Sequence, residues 1–304
     1  MPSEGETHPT AREATKARGC TSGLLAFVPV VSDRRRKRSR RLAIIGTLLA
    51  VTLLVTFVSF PLFSGVVAHF VPRQVVDAVG AEMIKDTASE GAFCNGPEGR
   101  AALGRLAERL GAQAPEETFK VYVSAQDEVN AFATPGGHIV LYQPIIERAD
   151  SPDEVAGVLA HEMGHVVEKH PTKGLVEAVG YGIFGVMTPG GGETKKVARS
   201  LLTNHYSRND ELDADRRGVE LLNASGLDSR GLFSFFERIK RAGDDIPGAV
   251  EFLSTHPSGQ TRRANLEEVA SEGNGAMSDE DWAALRSICT ETGDPVPVIV
   301  YATD

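Results

Sequence analysis

Leu159-Ala160-His161-Glu162-Met163-Gly164-His165 has the form H-E-x-x-H. On an α-helix, residues four apart share one face, about one turn apart along the axis. His161 and His165 then point the same way and can grip one metal ion. Glu162, one residue round the helix, can reach a water on that metal. The neighbouring sequence predicts such a helix. Ser151-Pro152-Asp153-Glu154 reads as a capping box, with Ser151 at the N-cap, Pro152 in the first turn and Glu154 at the third position. Val155, Val158, Leu159, Met163 and Val166 recur at helical spacing, and Pro171 is expected to stop the helix just after His170. The motif is short enough to arise by chance, and two ordinary histidines on a helix would look the same. Its meaning depends on the rest of the chain.

A second stretch answers it: Tyr206-Ser207-Arg208-Asn209-Asp210-Glu211-Leu212-Asp213-Ala214-Asp215. Glu211 and Asp215 are again four apart, on one face of a second helix. A hydrolytic zinc site uses three protein ligands and keeps one position open for water. His161, His165 and Glu211 meet that count. Asp215 is placed to supply the acceptor that fixes a ligand histidine's tautomer. The plain alternative is a solvated acidic helix face, against which Tyr206 and Ala214 interrupt the run of charge.

With these residues in view, the chain resembles the zinc metallopeptidases of family forty-eight, which include the HtpX-type heat-shock proteases and the CAAX prenyl endopeptidases. The matching residues are His161-Glu162-x-x-His165, and Glu211-x-x-x-Asp215 within Tyr206-Ser207-Arg208 to Asp215. Asn130-Ala131-Phe132-Ala133-Thr134-Pro135-Gly136-Gly137 matches as well, as does Thr255-His256-Pro257 followed by Arg262 and Leu266. The resemblance runs from about Glu116 to about Val269. It implies a gluzincin fold, one zinc ion and endopeptidase activity, and it names no substrate. It also places His256 near the zinc, where it would either donate to the oxyanion or bind the metal while the enzyme rests. Arg262 would anchor that loop by pairing with a carboxylate.

The chain has 304 residues and a net charge of −9, unevenly spread. Residues 1–72 carry a net +6, which leaves −15 on the remainder. So acidic a main domain argues against nucleic acid as a partner. Arg34 to Arg41 holds seven positive charges in eight residues, and Leu42 to Phe63 then holds none. The uncharged stretch is long enough to cross a bilayer as one helix. Basic residues flank it only on the N-terminal side, so the tail (1–41, largely disordered) is expected in the cytoplasm. The domain after the span is then expected in the periplasm or outside the cell, anchored to a bacterial inner membrane and to its lipid by this one helix. A cleaved signal is the alternative: Ser39-Arg40-Arg41 resembles part of a twin-arginine signal, but Val66-Val67-Ala68 is a poor cleavage site and the apolar core is long for one.

From Pro72 to Pro115 the pattern is helical. Val75, Val76, Val79 and Met83 make one face, and Leu103, Leu106 and Leu110 another. Phe119 to Ser124 alternates like a strand. Asn130 to Thr134 and His138 to Leu141 flank Pro135-Gly136-Gly137, a hairpin signal. The result is a small sheet, whose edge strand in the family it resembles pairs with extended substrate. Main-chain pairing of that kind demands little of the peptide's sequence. His138, beside a turn, reads as structural. Leu175 to Met187 is apolar and leads to Pro189-Gly190-Gly191-Gly192, which fits either a core helix or a mobile cover on a glycine hinge. Residues 194–222 fit the Glu211 helix, closed by Gly226. Leu232 to Ile239 and the stretch capped by Ser278 read as further helices, and 293–304 as a loose or extended tail.

The expected class is α+β: a mainly helical zinc metallopeptidase domain over 72–292, with a small sheet, after a transmembrane helix at 42–63. By topology Cys20 falls in the reducing compartment, while Cys94 and Cys289 fall in the oxidising one and are expected to form a disulfide; two buried free thiols are the alternative. The leading functional reading is a membrane-anchored zinc endopeptidase acting on misfolded or misassembled envelope proteins, with Glu162 as base and His256 assisting. A non-catalytic chaperone or adaptor that kept the fold is the second reading. An intramembrane protease is the third, and Asp153, Glu154, Glu168 and Lys169 on the zinc helix count against it. Substrate, latency and oligomeric state are not legible in the sequence.

Overall fold

Helix α5 (Pro152–Val167) carries the H-E-x-x-H stretch, and every residue from Glu154 to Val166 is buried. A helix covered on all sides lies inside a fold rather than on it. The computed structural model describes residues 33–89, 91–186, 206–243, 248–256 and 269–301. The tail through residue 32 with Cys20, the glycines at 190–192, Arg262 and Leu266 lie outside them. The chain divides into two compact units, Met1–Val55 and Thr56–Asp304.

In the first unit the described residues are helical from Asp33. They belong to α1 (Asp33–Ala68), which outruns the expected apolar span at both ends. Its stretch Arg35–Phe60 is 26 residues long, and an 18-residue part of it with a mean hydropathy of 2.4 is long and apolar enough to cross a membrane.

In the second unit, α2 (Arg73–Ala88) leads through β1 (Phe93–Cys94) to α3 (Pro97–Gly111). Leu103, Leu106 and Leu110 of α3 are buried as their spacing predicts. On α2 the buried face holds Val76 and Met83 but excludes Val75, which is 49% exposed. Strands β2 (Phe119–Ser124), β3 (Ala131–Thr134) and β4 (His138–Tyr142) follow. The predicted hairpin forms: β3 pairs antiparallel with β4, through a turn in which Gly136 and Gly137 have φ of 82° and 80°. Only glycine takes such angles without strain. β4 lies parallel to β2, and β2 shares its other side between β1 and β6 (Val298–Val300). The sheet order is β3-β4-β2-β1-β5, with β5 at Thr292–Gly293. The expected loose tail after 293 is thus extended but not loose, because Val298, Ile299 and Val300 zip onto β2.

After α4 (Gln143–Glu147) comes α5, and both of its ends differ from expectation. Ser151 is the N-cap, yet its side chain caps nothing. The Glu154 carboxylate accepts from the Asp150 N–H at 2.9 Å instead of from Ser151, and it pairs with Arg238. A buried carboxylate with an arginine available is better served by that ion pair than by a capping box. At the other end Pro171 does not stop the helix. α5 has already ended at Val167, Lys169 turns the chain at φ 60°, and Pro171 sits in the first turn of α6 (His170–Val186). That is where proline's missing N–H costs least. Over residues 173–180, α6 is half-buried rather than a core helix; Gly180 lies against the Phe60 ring, and the Ser64 hydroxyl donates to Glu177 at 2.5 Å.

Helix α7 (Arg208–Ala224) begins on a true capping box, Ser207 with Asp210. Among the described residues three more α-helices follow it: α8 (Gly231–Ala242), α9 (Ala249–Thr255) and α10 (Asp279–Arg286, capped by Ser278). α5, α7 and α8 pack together with α3 and one face of the sheet around Leu159, Leu222, Leu232 and Phe235, all fully buried.

Candidate metal centre

Two helices must cross closely for four-apart residues on each to meet, and small residues allow it here. Gly164 of α5 faces the backbone of Ala214 so tightly that a methyl group would overlap its carbonyl. One turn away, Gly218 of α7 faces the Ala160 carbonyl. This contact turns His161 and His165 toward Glu211 and Asp215.

The ring nitrogens converge. Nε2 of His161 and Nε2 of His165 are 3.1 Å apart, and they stand 3.7 and 3.3 Å from the two oxygens of Glu211. Nδ1 of His256, delivered from the end of α9, lies 3.2 Å from His161 Nε2 and 3.3 Å from Glu211 Oε1. These four residues each offer one ligand atom, all within 4.8 Å of one another, and all four are buried. Phe236 of α8 packs edge-on to His161, and Phe252 of α9 stacks on Phe236 and against His256. Phe236 and Phe252, both part of the hydrophobic core, thus back the site.

Each ligand histidine has a partner behind it. His161 Nδ1 lies 2.9 Å from Asp215 Oδ1. His165 Nδ1 lies 3.0 Å from His170 Nδ1, and His170 Nε2 faces Asp210 at 3.6 Å. With the lone pair of His165 Nε2 turned into the cluster, its proton sits on Nδ1 and is donated to His170, whose own proton then faces Asp210. Tyr206 stacks on the His165 ring with centroids 3.9 Å apart.

The electrostatics fit a cation. Burial pushes His165 down to about 3, so its imidazole is neutral and keeps a lone pair to give. Burial alone would raise Glu211, but His256, His165 and His161 outweigh it and hold the carboxyl well below the usual range. Glu162 shifts the other way. Burial, aided by Glu211 and opposed by His256 and His161, lifts it above the usual carboxylate range. Both of its oxygens are buried and have no hydrogen-bond partner among the described residues. Such a group is costly unless a further polar species serves it. Two imidazoles and a carboxylate beside a buried base are a donor set suited to a metal ion. Burial, reinforced by Glu162, Glu211 and Asp210, also drives Tyr206 well above the usual phenol range and keeps it a donor.

Thus His161, His165, Glu211, Glu162, Asp215 and His256 all gather in one place. Cys94 and Cys289 gather in another, with their sulfurs at bonding distance and Cα atoms 4.3 Å apart. His138 lies on the sheet, bonded to Tyr122 and Asp77 rather than to the cluster. His170 had no signal of its own: five residues past His165, a continuous helix would turn it off the candidate ligand face, and the left-handed turn at Lys169 brings it back, while Tyr206 stood in the matching motif without an assigned role.

The chain is similar to known proteins over about half of its length. The chain is 32% identical over 163 residues to the mitochondrial metalloendopeptidase OMA1 of Arabidopsis thaliana, covering 50% of this chain and 33% of that one. It is 26% identical over 176 residues to the beta-barrel assembly-enhancing protease of Escherichia coli (strain K12), covering 53% and 36%. To the metalloprotease LoiP of the same organism it is 26% identical over 159 residues, covering 49% and 61%. The chain thus matches only about a third of the length of the first two relatives. The sequence profile of peptidase family M48 matches residues 98–270, more than half of the chain and all of the side chains that meet at the cluster. The chain belongs to peptidase family M48.

Proposed function

We propose that this chain is a zinc-dependent endopeptidase, anchored in a bacterial inner membrane by α1 with its catalytic domain on the periplasmic or outer side. The observation that carries the reading is the meeting of His161, His165 and Glu211 at one point beside the buried Glu162. When bound to those three ligands, zinc polarises a peptide carbonyl and brings the acidity of a water close to neutrality. Glu162 would take the proton from the attacking water, and its raised proton affinity suits it to hold the proton before passing it to the leaving amine. Asp215 holds His161 in the tautomer that leaves Nε2 free, and His170 does the same for His165. His256 sits with Nδ1 among the ligand atoms, which supports its role as a fourth ligand in a resting state, and a turn of that loop would free it to donate to the developing oxyanion.

The relative named as a beta-barrel assembly-enhancing protease supports misfolded or misassembled envelope proteins as the substrates. The basic segment Arg34–Arg41, in the first turns of α1, supports a cytoplasmic N-terminus.

Glu162→Gln should keep its zinc and lose cleavage of casein by at least about a hundredfold. Casein digestion at the wild-type rate by that variant, or digestion indifferent to a chelator, would refute the assignment. A chaperone that kept the fold would hold unfolded protein with or without metal and cut nothing.

A further inference from the structure

Strand β3 is one edge of the sheet among the described residues. The carbonyl of Asn130, just before it, accepts from the Tyr142 N–H at 3.0 Å. In an antiparallel ladder alternate residues aim their main-chain groups at the neighbour and away from it. Asn130, Phe132 and Thr134 therefore face β4, while Ala131 and Ala133 turn their main chains outward.

Both outward carbonyls are already engaged by side chains. Nε2 of His256 donates to the Ala131 carbonyl at 3.3 Å, and the Tyr206 hydroxyl donates to the Ala133 carbonyl at 3.3 Å. The same two rings touch the ligand cluster: His256 through Nδ1, 3.2 Å from His161, and Tyr206 by stacking on His165. One ring thus spans the gap between the edge strand and the ligands at each of two points.

We propose that Tyr206 and His256 stand in for a substrate's main chain: a peptide docks on β3 by displacing both, and must offer main-chain N–H groups two residues apart in their place. This rests on the endopeptidase reading and deepens it by naming what the substrate must supply. The exchange is donor for donor. A buried carbonyl that loses one donor without gaining another is left unsatisfied. An extended segment replaces both donors whatever its side chains, whereas proline at either position brings no N–H. The substrate class is therefore unfolded chain free of proline at two alternate positions. Tyr206 sets this requirement at Ala133 and acts as a positioning residue.

The test measures binding on the full-length Glu162→Gln protein in detergent micelles with chelator present, using a short fluorescent peptide that the wild-type protein cuts. Tyr206→Phe keeps the ring stack and removes the donor. Its affinity for the peptide should rise about fivefold, the value of one neutral hydrogen bond of about 1 kcal/mol. N-methylation of single peptide nitrogens should weaken binding to the protein with Tyr206 intact at two positions, two residues apart, and scarcely elsewhere. Equal or weaker binding by Tyr206→Phe, or N-methyl effects that are uniform or absent, would overturn the proposal. So would a failure of either protein to bind. Chelator-sensitive cleavage by the wild type, measured separately, would in each case leave the endopeptidase reading standing.

Discussion

Asp215 meets the cluster at His161, 2.9 Å from the nitrogen that faces away from the other candidate ligands. Its contribution is orientation, and partners of this kind typically change metal affinity by about 10–100-fold. Asp215→Ala should weaken zinc binding by that amount in a competition titration with a chromophoric chelator, and an unchanged affinity would show that packing alone orients the ring. Away from the cluster, Asp77 tests the electrostatics of the fold. Burial by itself would raise its carboxyl, but Lys120 and His138 outweigh that and hold it below the ordinary value of 3.8. His138 is itself lowered from 6.5, by burial and by Lys120. Both folded-state values lie below the unfolded ones. The stability each provides is therefore complete above its unfolded value and is lost as pH falls through the folded one. Urea midpoints of wild type and Asp77→Asn should differ at neutral pH and draw together below about pH 4. A gap that stays constant down to about pH 3 would count against the pairing. Of these residues, the candidate ligands His161, His165 and Glu211 and the proposed base Glu162 were legible in the sequence, because a spacing of four is a local property of a helix. His170 was not, because it reaches the cluster through the turn at Lys169 that no periodicity encodes, and Tyr206 was visible as a motif residue but its stacking on His165 was not.

At the level of elements, the centre depends on how closely α5 and α7 cross. Gly164 against Ala214 and Gly218 against Ala160 set that distance. Adding a methyl group in such a contact typically costs about 1–3 kcal/mol and forces the backbones apart. Gly164→Ala should lower the denaturation midpoint accordingly and weaken metal binding as well. A variant that lost stability but bound metal with full affinity would mean the helices can separate without opening the site. The sequence shows these glycines but not their role, since a glycine in a helix reads only as a weak position until its neighbour is known. The expected capping box at Ser151 fails for a related reason. Its glutamate is claimed by Arg238, 84 residues away in sequence.

Across the whole molecule, the ends of the acidic domain are brought together. β6 pairs with β2, and Cys289 lies against Cys94 from 195 residues earlier in the chain. We propose that this pair is oxidised in the mature protein, in keeping with a domain on the outer side of the membrane. Alkylation of the denatured protein without reductant should then modify neither thiol, and Cys94→Ser should cost about 2–5 kcal/mol of stability. Two alkylated thiols in the domain would place it in a reducing compartment or show the bridge to be absent.

The sequence by itself determined which residues share a face: His161 with His165 and Glu211 with Asp215, because helical geometry repeats about every 3.6 residues wherever the helix forms. It also marked the apolar span and the hairpin, whose signals are equally local. Only the tertiary structure decided that the two faces meet, that His256 arrives from 91 residues beyond His165 to lie between them, and that two side chains occupy the edge strand. Those distances are set by packing between segments remote in sequence, and the pattern within any one segment carries no record of its neighbours.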